Sequence, residues 1–370
     1  MRMRSHVLTS VLLAAALALV RAAPVAAQLS DYADAFDAWV TKHRPATAIV
    51  VVRRQGQTIF RKGHNADPRA PLITSSLSKA ITGVCIATLI RDGRLAFTTP
   101  LREALAGFFR RHGAPADARL LDATIEQLLT HRSGLRGKDE DDPMYEIWDR
   151  RAMQGQAHEA SPEPLLAEHF RYRLAYDPGS RQSYSNAGFV TLSAIIEEAT
   201  GKSYEDYCRA AVFDKLGITR VRLHPDWRQL TGARGWLIAA EDYLAFLDVF
   251  DRSNLFLGDT VKRWMLSAQT RWTPDNRGQF DALGIVMSIR PSGWRVLHSG
   301  VIDVQGKDAH GRPIRAAVNS FAYREPTGYS AFQALTPADE FHPALGELYR
   351  AIHRVHEQAE RMHEPVDKGR

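Results

Sequence analysis

Apolar positions recur with a helical period over Asp31–Thr41, and TAIVVVRRQGQTIFRKG (47–63) then reads as two strands around a turn at Gln55 and Gly56. Residues 76–91 return to a helical pattern. From about Thr99 to Gln269 the periodicity is mostly helical, as in TIEQLLTHRSGL, FVTLSAIIEEATG and AAEDYLAFLDVF. The first two of these segments stop at a glycine, Gly134 and Gly201. Strand patterns resume in ALGIVMSIRPSGWRVLHSG (282–300), turning at Pro291–Gly293, and continue in IRAAVNSFAYR (314–324) and YSAFQAL (329–335). An amphipathic helix over about Glu340–Arg361 closes the chain. Strands at both ends of a helical middle predict an α+β fold: one antiparallel sheet built from both chain ends, flanked by helices, with an inserted mainly helical domain. The division expected is 28–98 with 270–370 for the sheet domain and 99–269 for the insertion, the active site lying between them.

The first 27 residues change this picture only at the margin. MRMRSH, the apolar run Val7–Val20 and the small-residue stretch RAAPVAAQ follow the order of a secretory signal, with cleavage after Ala27 and Gln28 as the new first residue. An uncleaved anchor is the alternative, although the run is short for a bilayer. The protein is therefore expected in the periplasm or outside the cell, without a stable membrane span after processing. Losing Arg2, Arg4 and Arg21 takes the formal charge from +6 to +3. The basic residues are scattered, with no Lys/Arg block interleaved with aromatics, so nucleic acid is not an expected partner. Cys85 and Cys208 lie in apolar helical patterns, where buried free thiols are expected rather than a disulfide.

Candidate chemistry begins at SSLSK. Only Ser76 stands three residues before Lys79, and no other S-x-x-K occurs in the chain. On a helix, positions i and i+3 share a face, so the amine reaches the hydroxyl. Lysine serves as a base only when burial or nearby positive charge lowers its pKa. The alternative is a serine helix cap beside a solvated lysine. In PGSRQSYSN, Tyr184 and Asn186 sit just before a helical run: a phenol relays protons and a carboxamide holds a substrate amide. In WRVLHSGVIDV, His298, Ser299 and Gly300 lie on a strand, where the glycine permits close backbone approach.

Taken in order, S-x-x-K, Y-x-N and H-x-G resemble the serine hydrolases of the class C β-lactamase and D-alanyl-D-alanine carboxypeptidase group, with its related esterases and D-amino-acid peptidases. LLTHRSGL, PGSRQSYSN and GWLIAAEDYLAF are similar to that group's LLTHTSGL, PG…YSN and GG…D…F phrases, so the likeness runs from about residue 35 to 300. The resemblance implies a β-lactamase/transpeptidase-like fold. It also implies Ser76 as acylated nucleophile, Lys79 as its base, Tyr184 as proton shuttle, and Asn186 as a ligand of Lys79 and substrate. The triplet His298, Ser299 and Gly300 would bind substrate, and the N–H groups of Ser76 and Val301 would form the oxyanion hole. His298 stands where many relatives carry lysine. His131 in LLTHRSGL is read as structural, ending a helix away from the chemistry. Trp236, where glycine is commoner, is expected to narrow the site, and the stretch after the triplet lacks the glycines usual in relatives, which alters the pocket's edge.

The expected substrate is a small ester, amide or short peptide, with peptidoglycan-derived peptides among the options, and no cofactor is called for. A β-lactamase and a non-catalytic cell-wall ligand-binding relative remain as alternatives. A lipase-type hydrolase would need G-x-S-x-G, which is absent from the chain. His342, His353, His356 and His363 form no H-E-x-x-H motif and are expected on a solvated helix face, so no metal is expected. KDEDDP (138–143) is expected as a solvated acidic loop.

Overall fold

The computed structural model of the protein describes residues 29–156, 161–271, 275, 277–307, 313–336 and 343–363. The proposed signal and His342 lie outside the described residues. Helix α1 (29–43) leads into the hairpin of β1 (Thr47–Arg54) and β2 (Gln57–His64). Its two-residue turn is Gln55–Gly56, both at positive φ, as a tight hairpin of this twist requires. A short strand β3 (Pro71–Ile73) and one 3-10 turn (Ser75–Leu77) deliver the chain to α2 (Ser78–Arg91). The middle of the chain holds α3 (Leu101–Ala104), α4 (Ala106–His112), α5 (Ile125–Leu129), α6 (Met144–Met153), α7 (Glu163–His169), α8 (Asn186–Thr200) and α9 (Tyr204–Cys208). After these come β4 (Val221–Leu223), β5 (Trp236–Ala239), α10 (Ala240–Leu247) and α11 (Gly258–Arg271). The final meander is β6 (Phe280–Ala282), β7 (Ile285–Arg290), β8 (Gly293–Lys307), β9 (Pro313–Arg324) and β10 (Tyr329–Thr336), followed by α12 (Pro343–His363).

One antiparallel sheet takes strands from both ends of the chain in the order β2-β1-β10-β9-β8-β7-β6. The N-terminal hairpin joins the meander through β1 and β10, with Val50 opposite Gln333. Because side chains alternate across a strand, β1 serves two cores. Ile49 and Val51 face the helical mass with Phe332 and Ala334. Val50 and Val52 face α1 and α12, packing with Tyr32, Phe36, Leu345 and Leu348. This double burial explains why AIVVV is apolar without alternation. A separate three-stranded sheet, β3-β5-β4, holds the segment before Ser75 against the helices. Among the described residues no helix is long and apolar enough to cross a membrane.

Helix α8 starts on a Ser185 cap that accepts the Gly188 N–H and stops at Gly201 in the left-handed region, as the pattern predicts. Helix α5 departs from expectation. It ends at Thr130 rather than running to Gly134, and His131 follows at φ 56°, in a loop. The cysteines also depart from expectation: Cys85 of α2 and Cys208 of α9 form a disulfide across 123 residues, with Cα atoms 5.6 Å apart. Apolar surroundings suit a thiol and a bridge equally, and sequence spacing does not say which helices pack together. Closing so long a loop is worth about 4–5 kcal/mol in the chain-entropy model.

The C-terminal histidines require a further correction. His353 and His356 share the α12 stripe of Leu345, Leu348, Ile352 and Val355, so they turn toward the sheet instead of solvent. His356 is buried and stacks on Tyr329 at 3.6 Å between ring centroids. Burial, with His353 and Arg54 nearby, lowers its pKa from 6.5 to about 3. The unfolded chain therefore binds a proton that the folded one refuses, and the stability held above pH 6.5 is lost progressively as pH falls toward 3. Urea midpoints should fall between pH 7 and pH 4, and His356→Phe should flatten that slope. An unchanged slope in the variant would remove His356 as the cause.

Candidate active site

Three serines begin the α2 segment, and burial separates them. Ser75 and Ser78 are fully buried, whereas Ser76, on the 3-10 turn, is partly open to solvent. The Ser78 hydroxyl lies 3.1 Å from Thr74 Oγ1 and accepts the Trp236 N–H, so it holds the turn to β5. Ser76 alone presents its hydroxyl to the site.

Lys79, the second residue of α2 and one turn after Ser76, is wholly buried. Its Nζ lies 2.8 Å from Asn186 Oδ1, 2.9 Å from Ala233 O and 3.3 Å from Ser76 Oγ. Two of these partners are carbonyl oxygens, which only accept; the third is a hydroxyl, which donates or accepts. A neutral amine has two N–H donors for the carbonyls and one lone pair to accept the Ser76 O–H, so it matches all three partners. Burial and the charge of Arg234 push the Lys79 pKa well below that of a free lysine, with Asp142 opposing. Both effects favour the unprotonated form that a base requires.

Tyr184 and Asn186 reach this point from the turn ahead of α8, a hundred residues later in the chain. Lys79 Nζ sits 4.8 Å from the centre of the Tyr184 ring. Burial raises the Tyr184 pKa, against a hydrogen bond with Ser76, so the phenol holds its proton at neutral pH. A base pushed down beside an acid pushed up is the pairing proton transfer needs. Asn186 also donates from Nδ2 to Tyr145 Oη at 3.0 Å.

His131 is structural, but it is not remote from the chemistry. Its ring packs 4.4 Å from that of Tyr184, and its Nδ1 accepts the Ser185 N–H at 3.1 Å. KDEDDP is solvated only in part: Lys138, Asp139 and Asp141 are exposed, whereas Glu140 and Asp142 are half-buried. Glu140 accepts from the Gly137 N–H and the Ser183 hydroxyl and pairs with Arg181, while the Lys138 N–H donates to Tyr184 O at 2.9 Å. The acidic loop therefore backs the turn that aims Tyr184.

Strand β8 supplies the third wall. The ladder to β7 ends at Leu297 opposite Val286, which leaves the β8 edge open from His298 onward. His298 is buried, and its Nδ1 lies 2.6 Å from Ser299 O, so Nδ1 carries the proton and Nε2 is an acceptor. Burial and Lys79 lower its pKa to about 4, so the ring is neutral at physiological pH. A Cβ on Gly300 would lie 2.7 Å from Ser75 Cβ and 3.0 Å from the Ser76 nitrogen; glycine is what lets β8 touch the nucleophile's turn. The pairing register sets Ser299 and Val301 on the opposite face from His298 and Gly300, with Phe321 and Asn319. What these two residues offer the site is backbone. Trp236 does not narrow the pocket: its indole is buried, donating to Tyr204 Oη at 2.9 Å and packing on Phe213. Residues 308–312, part of the stretch expected to alter the pocket's edge, lie outside the described residues.

Two neighbours of the site escaped sequence reasoning. Tyr145 has no motif around it. Arg234 had a signal, as the one charged residue in the apolar stretch LTGARGWLIAA. Among the described residues no cluster of His, Cys, Asp and Glu is arranged to hold a metal ion.

Residues 29–311 match the family model described as Beta-lactamase, and the chain belongs to that family. It is 27% identical over 176 residues to a lovastatin esterase of Penicillium rubens, covering 44% of this chain and 42% of that protein. Over 208 residues it is 26% identical to a D-aminopeptidase of Brucella ovis, covering 52% and 36%. The chain thus spans less than half the length of these curated relatives. The fold aligns with an octameric penicillin-binding protein homologue from Pyrococcus abyssi at TM-score 0.67 and 16% identity, over 90% of this chain and 78% of the other. A D-stereospecific amidohydrolase from Streptomyces aligns at 0.66 and 17%, over 87% and 98%.

The tight seat of Gly300 generates a test. Gly300→Ala must push the Ser75–Ser76 turn off β8, with an expected cost of about 1–3 kcal/mol. The denaturant midpoint should fall accordingly, and an unchanged midpoint would show that the contact is not needed.

Proposed function

We propose that the protein is an exported serine hydrolase that acts on small esters or amides through an acyl-enzyme on Ser76. The observation that carries this reading is the buried Lys79 amine, with two carbonyl acceptors and one hydroxyl for partners. Lys79 takes the Ser76 proton as Oγ attacks the substrate carbonyl. The oxyanion that forms is held by the N–H groups of Ser76 and Val301. As the tetrahedral adduct collapses, Tyr184 gives its proton to the departing oxygen or nitrogen and recovers one from Lys79. Asn186 keeps Lys79 in register and has a second amide N–H for the substrate. Water then attacks the acyl-enzyme along the same proton path in reverse. A binding module has no use for a desolvated lysine at a hydroxyl, so the non-catalytic alternative has less support. Export finds support in the disulfide, a bond typical of oxidising compartments.

The substrate reading rests on His298. A lysine there would bring a fixed positive charge, whereas a neutral ring with Nδ1 already committed to Ser299 O offers only an acceptor at Nε2. Carboxylate anchoring at this wall is weak. Short acyl esters, and after them D-amino-acid amides or peptides, are accordingly favoured over cephalosporins.

Two measurements test these points. With p-nitrophenyl butyrate, Ser76→Ala should abolish turnover, and Lys79→Arg, which keeps charge but cannot lose its proton near neutrality, should cost about 100-fold or more. Near-native turnover by Lys79→Arg would place the base elsewhere. In the second, kcat/KM for the butyrate ester should exceed that for a chromogenic cephalosporin at both pH 6 and pH 8, because His298 stays neutral above about pH 4. A cephalosporin preference at both pH values would replace the esterase reading with a β-lactamase one.

A further inference from the structure

Arg234 is only 8% exposed, yet no step of the chemistry above uses it. Its guanidinium carbon lies 4.7 Å from the centre of the Tyr145 ring and 5.2 Å from that of Trp227. Trp227 is itself stacked on Trp148, with centroids 4.9 Å apart and planes within 5°. The backbone that carries Arg234 is equally fixed. A Cβ on Gly232 would meet Phe189 O at 2.1 Å, so the 231–235 turn lies flat on α8. The residue before Arg234 gives Lys79 one of its two carbonyl acceptors. Its ring neighbour Tyr145 accepts from Asn186, which gives Lys79 the other. Both tethers of the proposed base therefore run back to the position of one arginine.

We infer that Arg234 is a positioning residue for catalysis: held between Tyr145 and Trp227, it orders both carbonyl ligands of Lys79 and supplies from this wall the positive charge that the third motif lacks. The inference rests on the reading of Lys79 as the base. The groups that act on Lys79 electrostatically are Arg234 and Asp142, of opposite sign, and the neutral His131 and His298; Tyr184 and Ser76 complete its surroundings. Arg234 is the fixed cation among them, and a nearby cation favours the unprotonated amine. Tyr145 and Trp227 suit the task because aromatic faces hold a guanidinium with little competition from water.

The test uses the pH dependence of kcat/KM on p-nitrophenyl butyrate, an uncharged substrate, so that loss of a substrate contact is not mistaken for a shifted base. With Arg234→Met, Lys79 should hold its proton to higher pH. The acid limb should move up by about one pH unit or more and turnover at pH 6 should fall about tenfold, with a smaller loss at pH 9. Arg234→Lys, which restores the charge, should return the limb most of the way. Arg234→Gln is read in the same way if methionine does not fold. An unmoved acid limb would overturn the inference, as would an equal loss at every pH that lysine does not rescue, since that describes packing alone. Lys79→Met in the same assay separates the two readings. If it is inactive while Arg234→Met keeps the wild-type limb, only this inference falls; if it remains active, the base assignment falls and this inference with it.

Discussion

Everything in the site depends on an amine taken out of water. At the position of Lys79 the amine exchanges water for two carbonyl oxygens and a serine hydroxyl, and the loss of bulk solvation weighs against its charged form. Burial tips the amine toward its neutral form, and the neutral form fits that partner set. The remaining architecture keeps the arrangement dry and in register. The 3-10 turn and the start of α2 hold Ser76 and Lys79 one turn apart, the start of α8 and the turn before it bring Asn186 and Tyr184, and the 231–235 turn brings Ala233. Strand β8 closes the far side through a glycine that has no side chain to interfere.

The same constraint accounts for features that look unrelated along the chain. His131 and the loop around Glu140 both fix the turn on which Tyr184 sits. The Cys85–Cys208 bridge ties α2 to α9, and Tyr204 of α9 reaches Thr82, one turn beyond Lys79, at 2.7 Å. A base helix held from several sides is what a fixed proton path needs, because transfer between heteroatoms falls off steeply with distance. On the opposite face of the sheet, α1 and α12 cover the strands, with buried histidines in the packing layer.

How much of this was legible in the sequence varied with range. The strands of both chain ends showed in their apolar runs and the turns between them, and the proposed nucleophile and base showed in a three-residue spacing, because such signals are local. Tyr184, Asn186 and His298 were found as short motifs that needed one another for meaning. Contacts decided by tertiary packing were not legible. Tyr145 and Arg234 reach the site through side chains whose neighbours are far away in sequence. Trp236 looked like an intruder on the pocket and proved to be core, because the direction a strand residue faces depends on the partner sheet. Cys85 and Cys208 likewise gave no sign of their pairing, since two helices separated by 123 residues can pack in many ways.

Covalent capture tests directly whether Lys79 makes a single serine of SSLSK nucleophilic. The protein would be treated with a fluorophosphonate, digested with trypsin, and the peptide Ala70–Lys79 fragmented to locate the added mass. The account predicts one adduct, on Ser76, forming faster as pH rises through the titration of Lys79. An adduct on Ser75, on Ser78 or outside this peptide, or labelling on Ser76 at a rate indifferent to pH, would contradict it.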